Sequence, residues 1–390
     1  MAINDMTVEQ SSTILAAALS QAQGGVAVST PITSADFVTV GQLALKTGYD
    51  TLSTAISQVL SKTIFAVRPY NRKFKFLEAD AVRYGNHVRK INYVDDSLEN
   101  SAAYSLTDGA PVDMQVVRKP KVIQTNFYGY NTFDYHQTVY RQQLETALRG
   151  PEEWAGFIGG LMQHIQNIME QTHEESARLT VANLIAGTSA LNNTTQVFPL
   201  LTAYNAFTGQ SLTATTIYDP ANYPDFSRFF SGVLQNMSRA MAERSESYHY
   251  NLTAGTIMRH TPVEDQRLIT LAPEFTQIAA RVYSTTFNDE YLKLIPREEV
   301  FFWQNRNLPD EINLDAGYID ANGDPDHGSV TLSKVFAVLF DREAAGYTTV
   351  NQSYEVAPYN VRGKYWNHFW SFQDRYWNDF TENCVIFTLT

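Results

Sequence analysis

The stretch Asp320-Ala321-Asn322-Gly323-Asp324-Pro325-Asp326 has the oxygen-rich look of a calcium loop. An EF-hand loop needs Gly at its sixth position for the turn and Glu at its twelfth for bidentate closure. Those positions here hold Pro325 and Thr331, so the stretch reads as a surface turn. His164 and His173 are nine residues apart on one predicted helix, whereas a zinc-protease helix sets two histidines four apart with a Glu between them. His87, His136, His249, His260, His327 and His368 are scattered without ligand spacing. The carboxylate pairs Asp95-Asp96 and Glu174-Glu175 carry little weight as an acid–base dyad, because 41 acidic residues generate many such pairs. No Gly-rich phosphate cradle and no GxSxG elbow occurs, and Cys384 has no nucleophile context. The aromatic run Tyr365-Trp366, Phe369-Trp370, Phe372, Tyr376-Trp377 suits a sugar platform or, more simply, a sheet core packed on a helix. These residues predict no catalytic, cofactor-binding or metal site, and hence no enzyme.

The chemistry is therefore sought in surfaces. The 390 residues carry 29 basic and 41 acidic side chains, a net charge of −12. That argues against a dedicated nucleic-acid binder, which presents a basic face. Only 18% of residues are charged, while the chain holds 22 Tyr, 22 Phe and 5 Trp. Such a surface suits extensive contact with other chains, although carbohydrate-active enzymes share the composition. No apolar run approaches the length of a membrane span. The N-terminal residues do not read as a secretory signal, since Asp5 and Glu9 come before the first basic residue, Lys46. The lone Cys384 excludes an intrachain disulfide and is consistent with folding in a reducing compartment.

Several elements would position these surfaces. Val8, Ser12, Leu15, Leu19 and Ala22 share a helical face near the N-terminus, read either as a disordered tail with one nascent helix or as an arm that orders on a neighbouring subunit. A second helix is predicted near 49–61 and a strand at 63–68. Residues 63–130 alternate polar with apolar and contain the turn Asp108-Gly109-Ala110-Pro111, predicting a long two-stranded projection. Its mixed charges suit salt bridges between subunits better than a phosphate track. The strongest helix signal runs from Pro151 to about 187, with Glu152 and Glu153 in its first turn and Gly187 as the expected stop. Trp154, Phe157, Ile158, Leu161, Ile165, Ile168 and Met169 form its apolar stripe, on a rod of about 50 Å. Residues 188–224 read as a polar loop or β-excursion. Helices follow near 225–245 and 274–282, strands near 249–257, 298–304 and 334–340, and a β-rich stretch over 354–390. The sum is an α+β chain without solenoid or propeller repeats.

Three blocks in this order resemble a known family. They are Tyr135-His136-Gln137-Thr138 running through 144–148 into the long helix; Thr261-Pro262-Val263-Glu264-Asp265 through Phe287; and Arg362-Gly363-Lys364-Tyr365-Trp366-Asn367, Arg375 and Val385-Ile386-Phe387. The set is similar to tailed-phage major capsid proteins of the HK-97 fold, most of all those of phi-29-like podoviruses, and covers roughly residues 120–390. Phi-29-type chains can carry an immunoglobulin-like C-terminal extension, which the residues up to Thr390 do not match.

The resemblance implies an N-terminal arm over 1–62, with contacts through Val8, Leu15 and Leu19. It implies an E-loop hairpin and the start of the P-domain over 63–130, and a P-domain over 131–224 with a spine helix at 151–187. An A-domain would occupy 225–350, and strands over 351–390 would return to the P-domain. Inter-subunit contacts are expected from Arg83, Arg89, Lys90, Asp95, Asp96, Arg118, Lys119 and Lys121. The spine-helix core is expected at Trp154, Phe157, Leu161 and Ile165, facing the sheet of Trp366 and Trp370. The implied function is self-assembly, as hexamers and pentamers, into an icosahedral head around double-stranded DNA. Portal, scaffolding and decoration proteins are implied partners, with no cofactor, no membrane, and assembly in the host bacterial cytoplasm. An encapsulin-type nanocompartment shell is the alternative with the same fold; a glycan-active enzyme or binding module is the alternative with another.

Overall fold

The computed structural model describes residues 8–22, 34–46, 72–79, 87–94, 115, 117, 119–191, 195–272 and 297–390. Its axis is a helix that the sequence makes inevitable. Pro151 opens it, Glu152 and Glu153 sit in its first turn, and it runs without a break to Ala190. Forty residues make a rod of about 60 Å. In chain order the helices are α1 (Val8–Ala22), α2 (Ser34–Lys46), α3 (Arg141–Ala147), the long α4 (Pro151–Ala190), α5 (Leu200–Thr208) and α6 (Tyr223–Ala242).

The two halves of α4 serve two different cores. Along the first half, Trp154, Ile158, Leu161 and Ile165 are buried against α1, α2, α3 and a three-stranded sheet. That sheet has the order β10 (Ala345–Val356), β11 (Tyr365–Asn378), β3 (Asn131–Tyr140), all antiparallel. Trp366 and Trp370 of β11 belong to this core, so these two tryptophans are packing and not a sugar platform. Phe157 differs from the other stripe residues: it is half-buried at the edge of the cluster.

Along the second half, Ala177, Val181, Leu184 and Ile185 cover one face of a five-stranded mixed sheet. Its order is β4 (Val197–Pro199), β12 (Cys384–Thr388), β9 (Val335–Asp341), β5 (Gln266–Leu271), β6 (Arg297–Val300). Every side chain from Val335 to Phe340 is at most 1% exposed, as a strand covered on both faces requires. Alternation sorts them: Ile269, Val338, Phe340 and Ile386 face α4, while Leu268, Leu339, Val385 and Phe387 face α5 and α6. A hairpin of β7 (Ile312–Ile319) and β8 (Pro325–Leu332) flanks α4, where Asn183 Nδ2 donates to the Gly317 carbonyl at 2.9 Å and Asn183 Oδ1 accepts the Gly317 N–H at 2.8 Å. Where the halves meet, His173 Nδ1 lies 2.8 Å from Asp374 Oδ2, with its ring between Tyr347 and Phe372.

Several expectations are corrected. The α1 helix packs on α4 of its own chain, where Leu15 and Leu19 are fully buried, so these two side chains are not free for a neighbour. Apolar area already exists next to them and closing it locally costs less ordering entropy than an intermolecular contact. Leu15→Ala and Leu19→Ala should each cost about 2–5 kcal/mol of subunit stability; an unchanged melting temperature for both would place α1 elsewhere. Gly187 does not stop the long helix. A side chain there would come within 2.6 Å of the Phe380 ring, so this glycine permits a close approach and the helix continues. The stretch 188–224 contains α5, whose Leu200, Leu201 and Tyr204 are buried. Residues 249–257 form no strand; His249 is buried, its Nε2–H donates to the Ile257 carbonyl at 2.6 Å and its Nδ1 lies 3.2 Å from Asn383 Oδ1, with burial pushing its pKa down. The stretch 351–390 divides between two sheets, β11 joining β3 and β12 joining β9. The predicted helices at 49–61 and 274–282, the strand at 63–68 and the turn at 108–111 lie outside the described residues.

Candidate assembly surfaces

The predicted projection contains an antiparallel ribbon of β1 (His87–Tyr93) and β2 (Val122–Tyr128), in register from His87 opposite Tyr128 to Tyr93 opposite Val122. Two-residue alternation gives it two faces. Val88, Lys90, Asn92, Ile123, Thr125 and Phe127 form the sheltered one. The outer face carries Arg89, Ile91, Tyr93, Val122, Gln124 and Tyr128, with Ile91 54%, Tyr93 67% and Tyr128 66% exposed. This inverts the usual pattern: the polar Lys90 and Asn92 point inward and the apolar Ile91 and Tyr93 outward. A two-stranded ribbon is marginal on its own, so its inner face must be anchored. Phe127 packs against Trp377 with ring centroids 6.3 Å apart. Val94 lies so close to Gly255 that a β-carbon there would meet it at 2.6 Å. Arg375 Nε donates to the Gly129 carbonyl at 2.8 Å.

The main anchor is ionic. Lys90 Nζ lies 3.0 Å from Asp379 Oδ2 and 3.1 Å from Glu343 Oε2, and contacts Glu382 Oε1. Arg259 reaches the same carboxylate at 3.0 Å and donates to Asn92 Oδ1 at 3.1 Å and to the Thr381 carbonyl at 2.9 Å. Asp379 also accepts the Thr381 N–H and hydroxyl, at 2.9 and 2.6 Å. Burial pushes the Glu382 carboxyl up to about 7, although Lys90 and Arg259 pull it down. Burial also disfavours the Lys90 charge, but Asp379 and Glu382 outweigh it and its pKa ends above the usual lysine value.

Lys90 is therefore engaged within its own chain, not left for a neighbour as the sequence predicts. Arg89, Lys119 and Lys121 are exposed. Arg83, Asp95, Asp96 and Arg118 lie outside the described residues, and Val8 opens α1. Sequence reasoning missed Arg259, Asp379 and Glu382, whose only link to Lys90 is spatial. It also missed Ile91 and Tyr93, whose signal was the reversed alternation.

The remaining chemical candidates are absorbed by structure. Asp320 Oδ1 accepts the backbone N–H of Asn322 and Asp324 at 2.8 and 2.9 Å, and such bonds, that from Asp324 foremost, hold its carboxyl below the usual range. The carboxylate is thus committed to the β7–β8 turn. Glu174 is buried and accepts the Lys73 N–H at 2.8 Å and Arg178 at 3.1 Å, while Glu175 is exposed and bonds Gln171. Burial pushes the Cys384 thiol up to about 12, leaving it inert. Among the described residues no His, Cys, Asp and Glu group is arranged to hold a metal ion, and no helix is long and apolar enough to cross a membrane.

Comparison with known proteins gives a consistent result. A search of curated proteins returns no match. Among solved structures, the capsid structure of Staphylococcus phage Andhra matches with TM-score 0.55 at 10% identity, over 84% of this chain and 87% of that one. A chain in the structure of head fiber and inner core protein gp22 of native bacteriophage P68 matches with TM-score 0.51 at 12% identity, over 84% and 87%. At such identities the likeness is one of fold. The family model of the Phi29-like phage major capsid protein matches residues 12–388, nearly the whole length. The chain belongs to the Phi29-like phage major capsid protein family.

Proposed function

We propose that this chain is the repeating subunit of an icosahedral phage head, assembling as hexamers and pentamers around double-stranded DNA. The observation that carries the reading, beyond family membership, is the outward apolar face of the β1–β2 ribbon. Ile91, Tyr93, Val122 and Tyr128 stand in solvent on a ribbon anchored firmly from behind. Exposed apolar groups held on a rigid support mark a surface that another chain covers. In this reading the ribbon is the E-loop. The first half of α4 with the three-stranded sheet is the P-domain, and the five-stranded sheet with α5 and α6 is the A-domain. Portal, scaffolding and decoration proteins complete the partners, and assembly takes place in the host cytoplasm. The net charge of −12 keeps the shell from gripping the genome.

Recombinant protein examined by sedimentation and negative-stain microscopy tests this. Closed particles are expected, and particles recovered from infected cells should contain DNA, not an enzyme cargo. Tyr93→Asp with Lys121→Glu changes only exposed positions, so subunit stability should move by no more than about 1 kcal/mol, while particle yield collapses. A wild-type chain that stays monomeric under all salt conditions would end the assembly reading.

A further inference from the structure

The loop 357–364 between β10 and β11 is a rigid knob. Asn360 Oδ1 accepts the Gly363 N–H at 2.8 Å, its Nδ2 donates to the Tyr365 hydroxyl at 3.1 Å, and its carbonyl accepts the Lys364 N–H at 2.7 Å. The Lys364 carbonyl in turn accepts the Arg141 N–H at 3.0 Å. These bonds hold Lys364 at φ +54°, a left-handed conformation that a lysine adopts only when its surroundings enforce it. The knob presents Val361, 77% exposed, followed by the cations Arg362 and Lys364. Neither cation forms an ion pair among the described residues.

Beside the knob lies an open hollow of about 560 Å³ lined by Tyr140, Gln143, Thr146, Ala147, Glu153 and Phe157. Tyr140 meets Tyr365 edge-on at 6.0 Å, which sets knob and hollow next to each other on one end of the subunit. Val361 does not line the hollow of its own chain. Glu153 lines the hollow and Glu152 precedes it in the first turn of α4; both are exposed and likewise without an ion pair among the described residues.

We infer that the knob of one copy docks in the hollow of a second copy, Val361 against Phe157 and Ala147, with Arg362 and Lys364 facing Glu152 and Glu153. The complementarity is twofold: two unpaired cations meet two unpaired carboxylates, and the exposed Val361 meets a half-buried aromatic. Knob and hollow are different surfaces, so the contact is head-to-tail. Repeated from copy to copy, a contact of this kind closes into a ring when its rotation is an even fraction of a turn. The inference rests on the assembly reading above and adds a second contact to it, separate from the ribbon.

The test places Val361→Cys and Thr146→Cys in one chain. Both positions are exposed, whereas the natural Cys384 is buried. Assembled particles treated with a short bis-maleimide should yield covalent multimers on a denaturing gel, and either single variant should yield none. Independently, Arg362→Glu with Lys364→Glu should lower particle yield at least tenfold, and Glu152→Lys with Glu153→Lys in the same chain should restore it. Should the charge-reversed chain fold poorly in a melting experiment, the crosslink alone decides. Normal particles from the double-cysteine chain without inter-subunit product overturn the knob contact and leave the assembly reading standing. No particles from the wild-type chain would remove both.

Discussion

Ile158→Asp is expected to leave the chain insoluble, while Phe157→Asp, one residue earlier on the same helix, leaves a folded subunit. Ile158 is fully buried where the first half of α4 meets α1 and the sheet of Trp366 and Trp370. A carboxylate there has no cation within its cluster, so burial costs several kcal/mol even after relaxation. The lost apolar packing adds about 2–5 kcal/mol. Together they approach the whole stability of about 5–15 kcal/mol that a domain possesses. Phe157 lies at the rim of the cluster and looks into the open hollow, so its carboxylate would remain hydrated and only part of the ring's burial is lost. Solubility on expression and thermal melting separate the two. Equal loss from both variants would mean that the hollow is closed in the folded subunit.

That pair marks how far a helical stripe carries. The period of Trp154, Ile158, Leu161 and Ile165, with Pro151 and two acids at the start, makes the long helix legible from sequence alone. The same period includes Phe157 and cannot separate it from Ile158, because the width of the buried stripe is set by what packs on it. Here that is α1, whose own stripe was readable but whose partner was not: Leu15 and Leu19 suit a neighbouring subunit or their own chain equally well until the fold brings α4 alongside. Gly187 fails for a related reason. A glycine ends a helix or admits a ring, and only the position of Phe380 decides between them. The fully apolar run 335–340 was legible as a strand because it is too short for a helix and rich in valine and phenylalanine, as a doubly covered strand requires.

The assembly surfaces were less legible. In the ribbon the alternation of residue types is clear, but the sign of the two faces is not. Lys90 and Asn92 point inward because carboxylates placed by a segment 292 residues further along the chain are waiting there. Without Asp379 and Glu382, pattern reasoning assigns Ile91 and Tyr93 to a core and Lys90 to solvent. The blocks that matched the capsid family, by contrast, include turn residues such as Gly363 and Lys364, whose constraints are local bonds to Asn360.

Lys90→Met should destabilise the subunit by about 3–5 kcal/mol near pH 8 and by much less near pH 5. The wild-type interior balances two cations, Lys90 and Arg259, against two buried carboxylates, Asp379 and Glu382, which are 2% and 5% exposed. Removing Lys90 leaves Asp379 with its bonds from Thr381 and leaves Glu382 with Arg259 alone. One negative charge is then uncompensated, and the least costly response is for Glu382 to hold a proton. Burial already pushes that carboxyl from 4.5 up to about 7 with Lys90 present, and without Lys90 it must rise further. A carboxyl whose folded pKa is raised binds more protons folded than unfolded, so stability falls as pH climbs from the unfolded value through the folded one. In the wild type this fall spans about pH 4.5–7; in the variant it extends above 7, so the two stability curves should diverge as pH rises. The Lys90 contribution is itself intact throughout, because its raised pKa keeps it charged across the whole window. Adding Glu382→Gln to Lys90→Met removes the stranded charge and should recover much of the loss at pH 8. Amide exchange in β1 and β2 should speed up in the single variant above pH 7 and slow again in the double variant, since the ribbon depends on this anchor. A loss of equal size at pH 5 and pH 8, or no rescue by Glu382→Gln, would show that Lys90 holds the ribbon by packing and not by charge.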